Sequence, residues 1–178
     1  MSHLTIFNES GVPLKQISDA SQIAAELNAV GILFKRWTAC YAIDNSMSNE
    51  DILEAYKEDI DKFVAEGGYQ TIDVISMHAN HPDKKALRNK FFSDHTHSED
   101  EIRFFVRGQG LFTLHIADKV YAVLCCQNDL ISVPAGTPHW FDMSESPEFT
   151  AIRFFDNPTG WIANYTGSTI AEKFPLLN

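Results

Sequence analysis

With 178 residues, 44% of them hydrophobic, the chain is long enough to bury one sizeable core and too apolar to be disordered. Its formal net charge of −10 repels phosphate backbones and anionic lipid, which argues against nucleic acid or a membrane surface as partner. No run of about 18 apolar residues occurs, so no transmembrane helix is expected.

The opening MSHLTIFNES has no basic stretch followed by an apolar one, so no secretory signal is expected. One edge strand is expected over residues 4–7. Residues 19–30 have helical periodicity, with Asp19 as N-cap, Gln22 three residues on, and Ile23, Leu27 and Val30 on one face. Gly31 ends that helix, and a strand follows over 32–39. The clearest helical pattern spans 49–65. Ser48 caps it, Glu50 and Asp51 suit its first turn, and Ile52, Tyr56, Ile60 and Phe63 form an apolar stripe read as core packing. Gly67-Gly68 stops it. A strand is expected at 71–77 and a short helical turn at 83–90.

From there the pattern is short strands with Gly and Pro turns, at 101–107, 111–117, 120–127, 130–133, 140–143 and 150–155. Turns are read at 108–110, 118–119 and 134–136. Such spacing, with 13 Phe and 3 Trp, points to a mainly β barrel or jelly roll with N-terminal and peripheral helices. The barrel covers roughly residues 70–156 of a single domain over 1–178. In the tail, Trp161, Ile162 and Tyr165 are expected to fold back over it. Cys40, Cys125 and Cys126 are odd in number, and adjacent residues on a strand face opposite ways. All three are read as reduced thiols in a cytoplasmic protein.

His95 and His97 are two residues apart, so on an extended strand both imidazoles reach one side. Glu101 has the same parity after a short turn. His139 follows Pro134-x-Gly136 and enters a strand, which aims one side chain inward. Three imidazoles and a carboxylate suit iron, nickel, manganese, cobalt or zinc better than calcium. Four such ligands in an octahedral shell leave two positions for a chelating substrate. Closed tetrahedrally, the same set would be a structural zinc site. No Ser-His-Asp pattern, P-loop or GxGxxG supports a hydrolase, kinase or dinucleotide reading.

His95-x-His97-x-x-x-Glu101 with Gly108, and Pro134-x-Gly136-x-x-His139, resemble the two signatures of the cupin superfamily. Three positions depart from them: Asn89 and Asn128 stand where glycine leads each motif, and Met143 stands where Asn is frequent. The longer strings FFSDHTHSEDEIRFFVRGQGLFTLHI and VPAGTPHWFDM, with Ile152 to Phe155, resemble the acireductone dioxygenase family of methionine salvage. The match covers roughly 70–165 most specifically.

The resemblance implies a cupin double-stranded β-helix holding one Fe2+ or Ni2+ per chain, with Co2+ or Mn2+ as substitutes in vitro. It implies dioxygen cleavage of 1,2-dihydroxy-3-oxo-5-(methylthio)pentene; a monomer is expected, although the sequence does not give the oligomeric state. With iron the products are formate and 2-oxo-4-methylthiobutanoate; with nickel they are formate, carbon monoxide and 3-methylthiopropanoate. Arg103 shares parity with Glu101, and the family's arginine there is linked to forming the substrate dianion. Arg153 lies in an apolar strand and needs an anionic partner, either substrate or a carboxylate. Phe91 and Phe141 share parity with His95 and His139 and are read as pocket walls, with Trp161 over the mouth; core packing is the competing role for each. Asp94 and Asp100 flank ligands and can accept from imidazole N–H groups. Two other readings stand beside this one: a cupin oxygenase on another enediol, and a metal-bearing cupin that only binds a ligand.

Overall fold

The structure is a computed structural model and describes residues 1–157 and 162–178. The chain opens with β1 (His3–Asn8), β2 (Pro13–Ile17), α1 (Ala20–Ala29) and β3 (Leu33–Arg36). The strand expected at 4–7 is not an edge. β1 pairs on one side with β2 and on the other with a later strand, so β2 is the edge. β2 leaves no alternating pattern because its first four residues are all exposed. Asp19 caps α1 as expected, its carboxylate accepting from the Gln22 N–H at 2.9 Å.

The single helix expected over 49–65 is two, α2 (Asn49–Ala55) and α3 (Lys57–Gly67). The break is at Tyr56, whose φ of −102° and ψ of 13° leave the helical region. The stripe survives the break: Ile52, Tyr56, Ile60 and Phe63 are all buried. A kink lets both halves press this stripe onto a twisted sheet, which one straight rod would meet over only part of its length. Ser48 caps α2 through a reciprocal pair with Asp51, and Gly68 ends α3 in the left-handed conformation. β4 (Thr71–Met77) matches expectation, and α4 (Lys84–Phe92) runs on far enough to carry Phe91.

Seven strands follow: β5 (His95–Thr96), β6 (Glu101–Ile116), β7 (Lys119–Cys126), β8 (Asp129–Val133), β9 (His139–Asp142), β10 (Phe149–Phe155) and β11 (Asn164–Tyr165). The turn expected at 108–110 is absent, because β6 runs straight through it. Its first half pairs with β8 and β10, and its second half with β7 and β9. One strand therefore belongs to two sheets, one ordered β2-β1-β7-β6-β9-β5-β11 and the other β3-β8-β6-β10-β4. Gly108 marks the crossing. It sits at φ +69°, and the pairing slips between Thr150 and Ala151 on the facing strand, so a bulge bends the ribbon there. The hairpin turn expected at 118–119 lies one residue earlier, with Ala117 at φ 54°. Asn128, where the motif has glycine, takes φ 83°, and its side chain accepts from the Ala39 N–H at 2.7 Å. Asn is among the few non-glycine residues that tolerate that conformation.

The two sheets make the double-stranded β-helix, and strand alternation separates its contents. Ile102, Phe104, Val106, Leu130, Ile152 and Phe154 point outward and are covered by α2, α3 and Trp37. Phe105, Phe112, Leu114, Ile131, Phe141 and Phe149 point inward. α4 is pinned to β9 by Arg88, which donates from Nε and Nη2 to Asp142 at 2.7 and 3.0 Å. Asp142 is 1% exposed and also accepts from the Leu177 N–H, so one carboxylate ties α4, β9 and the C-terminal segment together.

A methyl group at Gly108 would lie 1.8 Å from the Glu148 carbonyl oxygen, whereas one at Gly31 (φ +84°) meets nothing within 4 Å. Gly31→Ala is expected to cost about 1 kcal/mol, the conformational term alone. Gly108→Ala should cost about 3 kcal/mol or more, because backbone must also move. Urea titrations of the two variants measure this; equal costs would mean that the strand crossing is loose.

Candidate metal centre

β5 and β9 are adjacent strands, and His95 stands directly opposite His139 in their register. That pairing brings together residues 44 positions apart, which spacing alone could not do. His97 lies just past the end of β5, and Glu101 opens β6. Two backbone ties hold the intervening turns against each other: the Gly136 N–H donates to the His97 carbonyl at 2.9 Å, and the Ala135 N–H to the Asp100 carboxylate at 2.9 Å. The turn that delivers His139 is thus built onto the turn that delivers Glu101. All four side chains are buried, and one donor atom from each falls within 4.8 Å of the others.

The protonation pattern follows from the hydrogen bonds. Each imidazole gives its Nδ1–H to a main-chain carbonyl: His95 to Ser93 at 2.7 Å, His97 to Ile162 at 2.9 Å and His139 to Thr137 at 2.8 Å. This assigns the lone pair to Nε2 in a neutral ring. Yet the Nε2 of His139 and of His97 lie 2.9 and 3.1 Å from the same Glu101 oxygen. Lone pairs facing a carboxylate at that range repel, unless a cation lies among them. The donor set therefore fits a metal ion on its own chemistry.

Two of the three shifted groups, His95 and Glu101, are already in the state a metal needs. Burial, with the neighbouring His139, pushes the His95 imidazole down to about 4, so it is neutral at physiological pH. Burial alone would raise Glu101, but the Arg103 guanidinium and the His139 and His97 rings outweigh it and hold the carboxyl well below the usual range. For His97 burial is the largest effect and opposes protonation, but the bond to Glu101, its charge and the backbone bond to Ile162 together outweigh it and raise the ring, so in the absence of an ion a proton on Nε2 takes the place a metal would hold.

The remaining predicted residues divide. Arg103 is 3% exposed, with Nε 2.7 Å from Glu101. Its guanidinium carbon lies 4.6 Å from the ring centre of Phe141, 5.2 Å from Phe112 and 5.8 Å from Phe91. Phe91 and Phe141 thus pack around a cation. Phe112, which the sequence reading assigned only to an alternating strand, is the third ring around it; it pairs across strands with Phe141. Arg153 stands opposite Arg103 and binds the carboxylate of Asp73, another residue the sequence reading missed. A charged residue in the inward parity of β4 was the available signal.

Among the described residues the imidazole Nδ1–H groups go to main-chain carbonyls rather than to Asp94 or Asp100. Asp94 instead binds the Thr166 hydroxyl, and Asp100 the Ala135 N–H. Trp161 lies outside the described residues. Ile162 and Tyr165 do return over the barrel, where β11 pairs with β5.

His139→Ala removes one of the four donors, and purified variant is expected to lose its metal on dialysis. Asp100→Ala loosens only a turn and should weaken metal affinity roughly tenfold. Elemental analysis reads both; a His139→Ala chain with full metal content would remove that residue from the ligand set.

Comparison with known proteins gives the same site a lineage. The model of the ARD/ARD' family matches residues 3–163. An acireductone dioxygenase of Cronobacter sakazakii is 61% identical, with 99% of each chain covered. One from a Synechococcus strain is 55% identical over the same shares. The solved structure of acireductone dioxygenase from Bacillus anthracis, with a cadmium ion in its active centre, superimposes with a TM-score of 0.83 at 28% identity, covering 93% of this chain and 98% of that one. On the family match across most of its length and on these relatives, the chain belongs to the ARD/ARD' family, the acireductone dioxygenases.

Proposed function

We propose that this chain is an O2-dependent dioxygenase that cleaves 1,2-dihydroxy-3-oxo-5-(methylthio)pentene in methionine salvage. One Fe2+ or Ni2+, held by His95, His97, Glu101 and His139, is its cofactor. Iron would lead to formate and 2-oxo-4-methylthiobutanoate, and nickel to formate, carbon monoxide and 3-methylthiopropanoate. All four donors come from one chain, which supports a single-domain monomer as the working unit. No helix among the described residues is long and apolar enough to cross a membrane. Free thiols at Cys40, Cys125 and Cys126 suit a reducing cytoplasm.

The observation that carries the reading is the guanidinium of Arg103. It is a fixed cation beside the donor cluster, in a cage of three phenylalanines. When bound, a divalent ion supplies Lewis acidity toward two oxygens of the enediol. The protein supplies the rest. Arg103 places a second positive charge where the enediol becomes an anion, in a site from which water is largely excluded. Its own protonation is opposed by burial and supported by Glu101, so it stays paired and charged. Phe91, Phe112 and Phe141 give the methylthio tail an apolar surface. Such a cation has no purpose in a site that merely stores a metal, which disfavours a passive ligand-binding cupin.

Anaerobic mixing of metal-loaded protein with the substrate should shift the enediol absorption to the red. Admitting oxygen should bleach it with release of formate. An unchanged spectrum and no oxygen uptake would sink the assignment. Arg103→Gln is expected to lower kcat by about a hundredfold while leaving metal content intact.

A further inference from the structure

The inner face of the sheet that carries Glu101 bears a row of charges in strict register. Asp73 on β4 stands opposite Arg153 on β10, and Arg153 opposite Arg103 on β6. Exposure falls along the row, from 41% for the Asp73 side chain through 21% for Arg153 to 4% for Arg103. It therefore leads from the exposed edge of the sheet inward to Glu101 of the metal centre. Directly opposed like charges repel. Here each arginine has its own carboxylate, Glu101 for Arg103 and Asp73 for Arg153.

The second pair has a specific shape. Arg153 donates from Nε to one Asp73 oxygen at 2.7 Å and from Nη2 to the other at 2.5 Å. That two-pronged fit is the one a guanidinium gives any free carboxylate. The guanidinium also lies over the Phe155 ring, 5.2 Å from its centre, at the end of β10 nearest Glu101. Arg153 is thus a ready carboxylate receptor beside the metal centre, and a carboxylate of the protein itself fills it.

We propose that Asp73 is a specificity-determining residue: by occupying the Arg153 fork it keeps carboxylate ligands from lodging there. This rests on the proposed function in one respect, the chemistry of the ligands. The enediol substrate has hydroxyls and a ketone but no carboxylate, whereas every organic acid product has one. A tethered competitor sits at high effective concentration and penalises the products without penalising the substrate. Asp73 so favours product departure and disfavours entry of other cellular 2-oxo acids.

The test is calorimetric titration of the metal-loaded full chain with 2-oxobutanoate, without oxygen or substrate. Asp73→Asn is expected to bind this probe about fivefold more tightly than the unsubstituted chain, the scale of one partly exposed ion pair. In an Arg153→Gln background the same substitution should change nothing. Asp73→Glu, which restores the carboxylate, should bind as weakly as the unsubstituted chain. Asp73→Ser removes the same charge and serves if Asp73→Asn folds poorly. Unchanged or weaker binding by the charge-removing variants overturns the proposal. Tightening that persists without Arg153 also overturns it, because the metal would then be the receptor. No enzyme turnover enters these measurements, so failure of the dioxygenase reading shows separately, as absence of oxygen uptake.

Discussion

Three imidazoles and one ionised carboxylate converge inside this barrel, an arrangement that a cation at its centre would stabilise. Each ring is locked by an Nδ1–H bond to a backbone carbonyl, so none can turn away. Much of the fold reads as a solution to that constraint. The strands hold the donors, the helices seal the outside, and charged neighbours keep Glu101 ionised despite complete burial.

The strand β6 makes this possible. It begins with a donor, Glu101, carries Arg103 two residues on, and then crosses from one sheet to the other at Gly108. Its first half aligns Arg103 with Arg153, and its second half aligns Phe112 with Phe141 and Leu114 with His139. The cation and two of its three aromatic rings thus come from a single bent ribbon and its partners, and α4 adds the third, Phe91. Alternation does the sorting: inward residues build chemistry, and outward ones bind α2 and α3. Moving the register by one residue would exchange these two sets.

Electrostatics inside the barrel are arranged as paired opposites. Glu101 answers Arg103, Asp73 answers Arg153, and at the barrel's flank Asp142 answers Arg88. The first pair is buried at the donor cluster, the last ties α4 to β9, and the middle pair is the more exposed neighbour of the first. In a chain of net charge −10, this gathers two arginines beside the donor cluster, each held by a carboxylate.

The local order of this protein was legible in its sequence. Helix caps at Asp19 and Ser48, the strand at 71–77, the parity of His95, His97, Glu101 and Arg103, and the strand ladder after residue 100 all follow from nearest-neighbour chemistry. So does the family resemblance, which rests on those same spacings. What the sequence could not determine is anything that depends on which strand lies beside which. It suggested a turn at 108–110, because glycines mark both turns and bulges; only the facing strand β10 decides for a bulge. It proposed one helix over 49–65, because the bend at Tyr56 answers the curvature of a sheet made from distant residues. It assigned Asp94 and Asp100 to the imidazoles, because proximity in sequence is not proximity of acceptor to donor. His139 reaches His95, and Asp73 reaches Arg153, only through strand pairing. Sequence determined the donor types and their faces, and tertiary structure decided their partners, since hydrogen-bonded register acts across the chain and leaves no local trace.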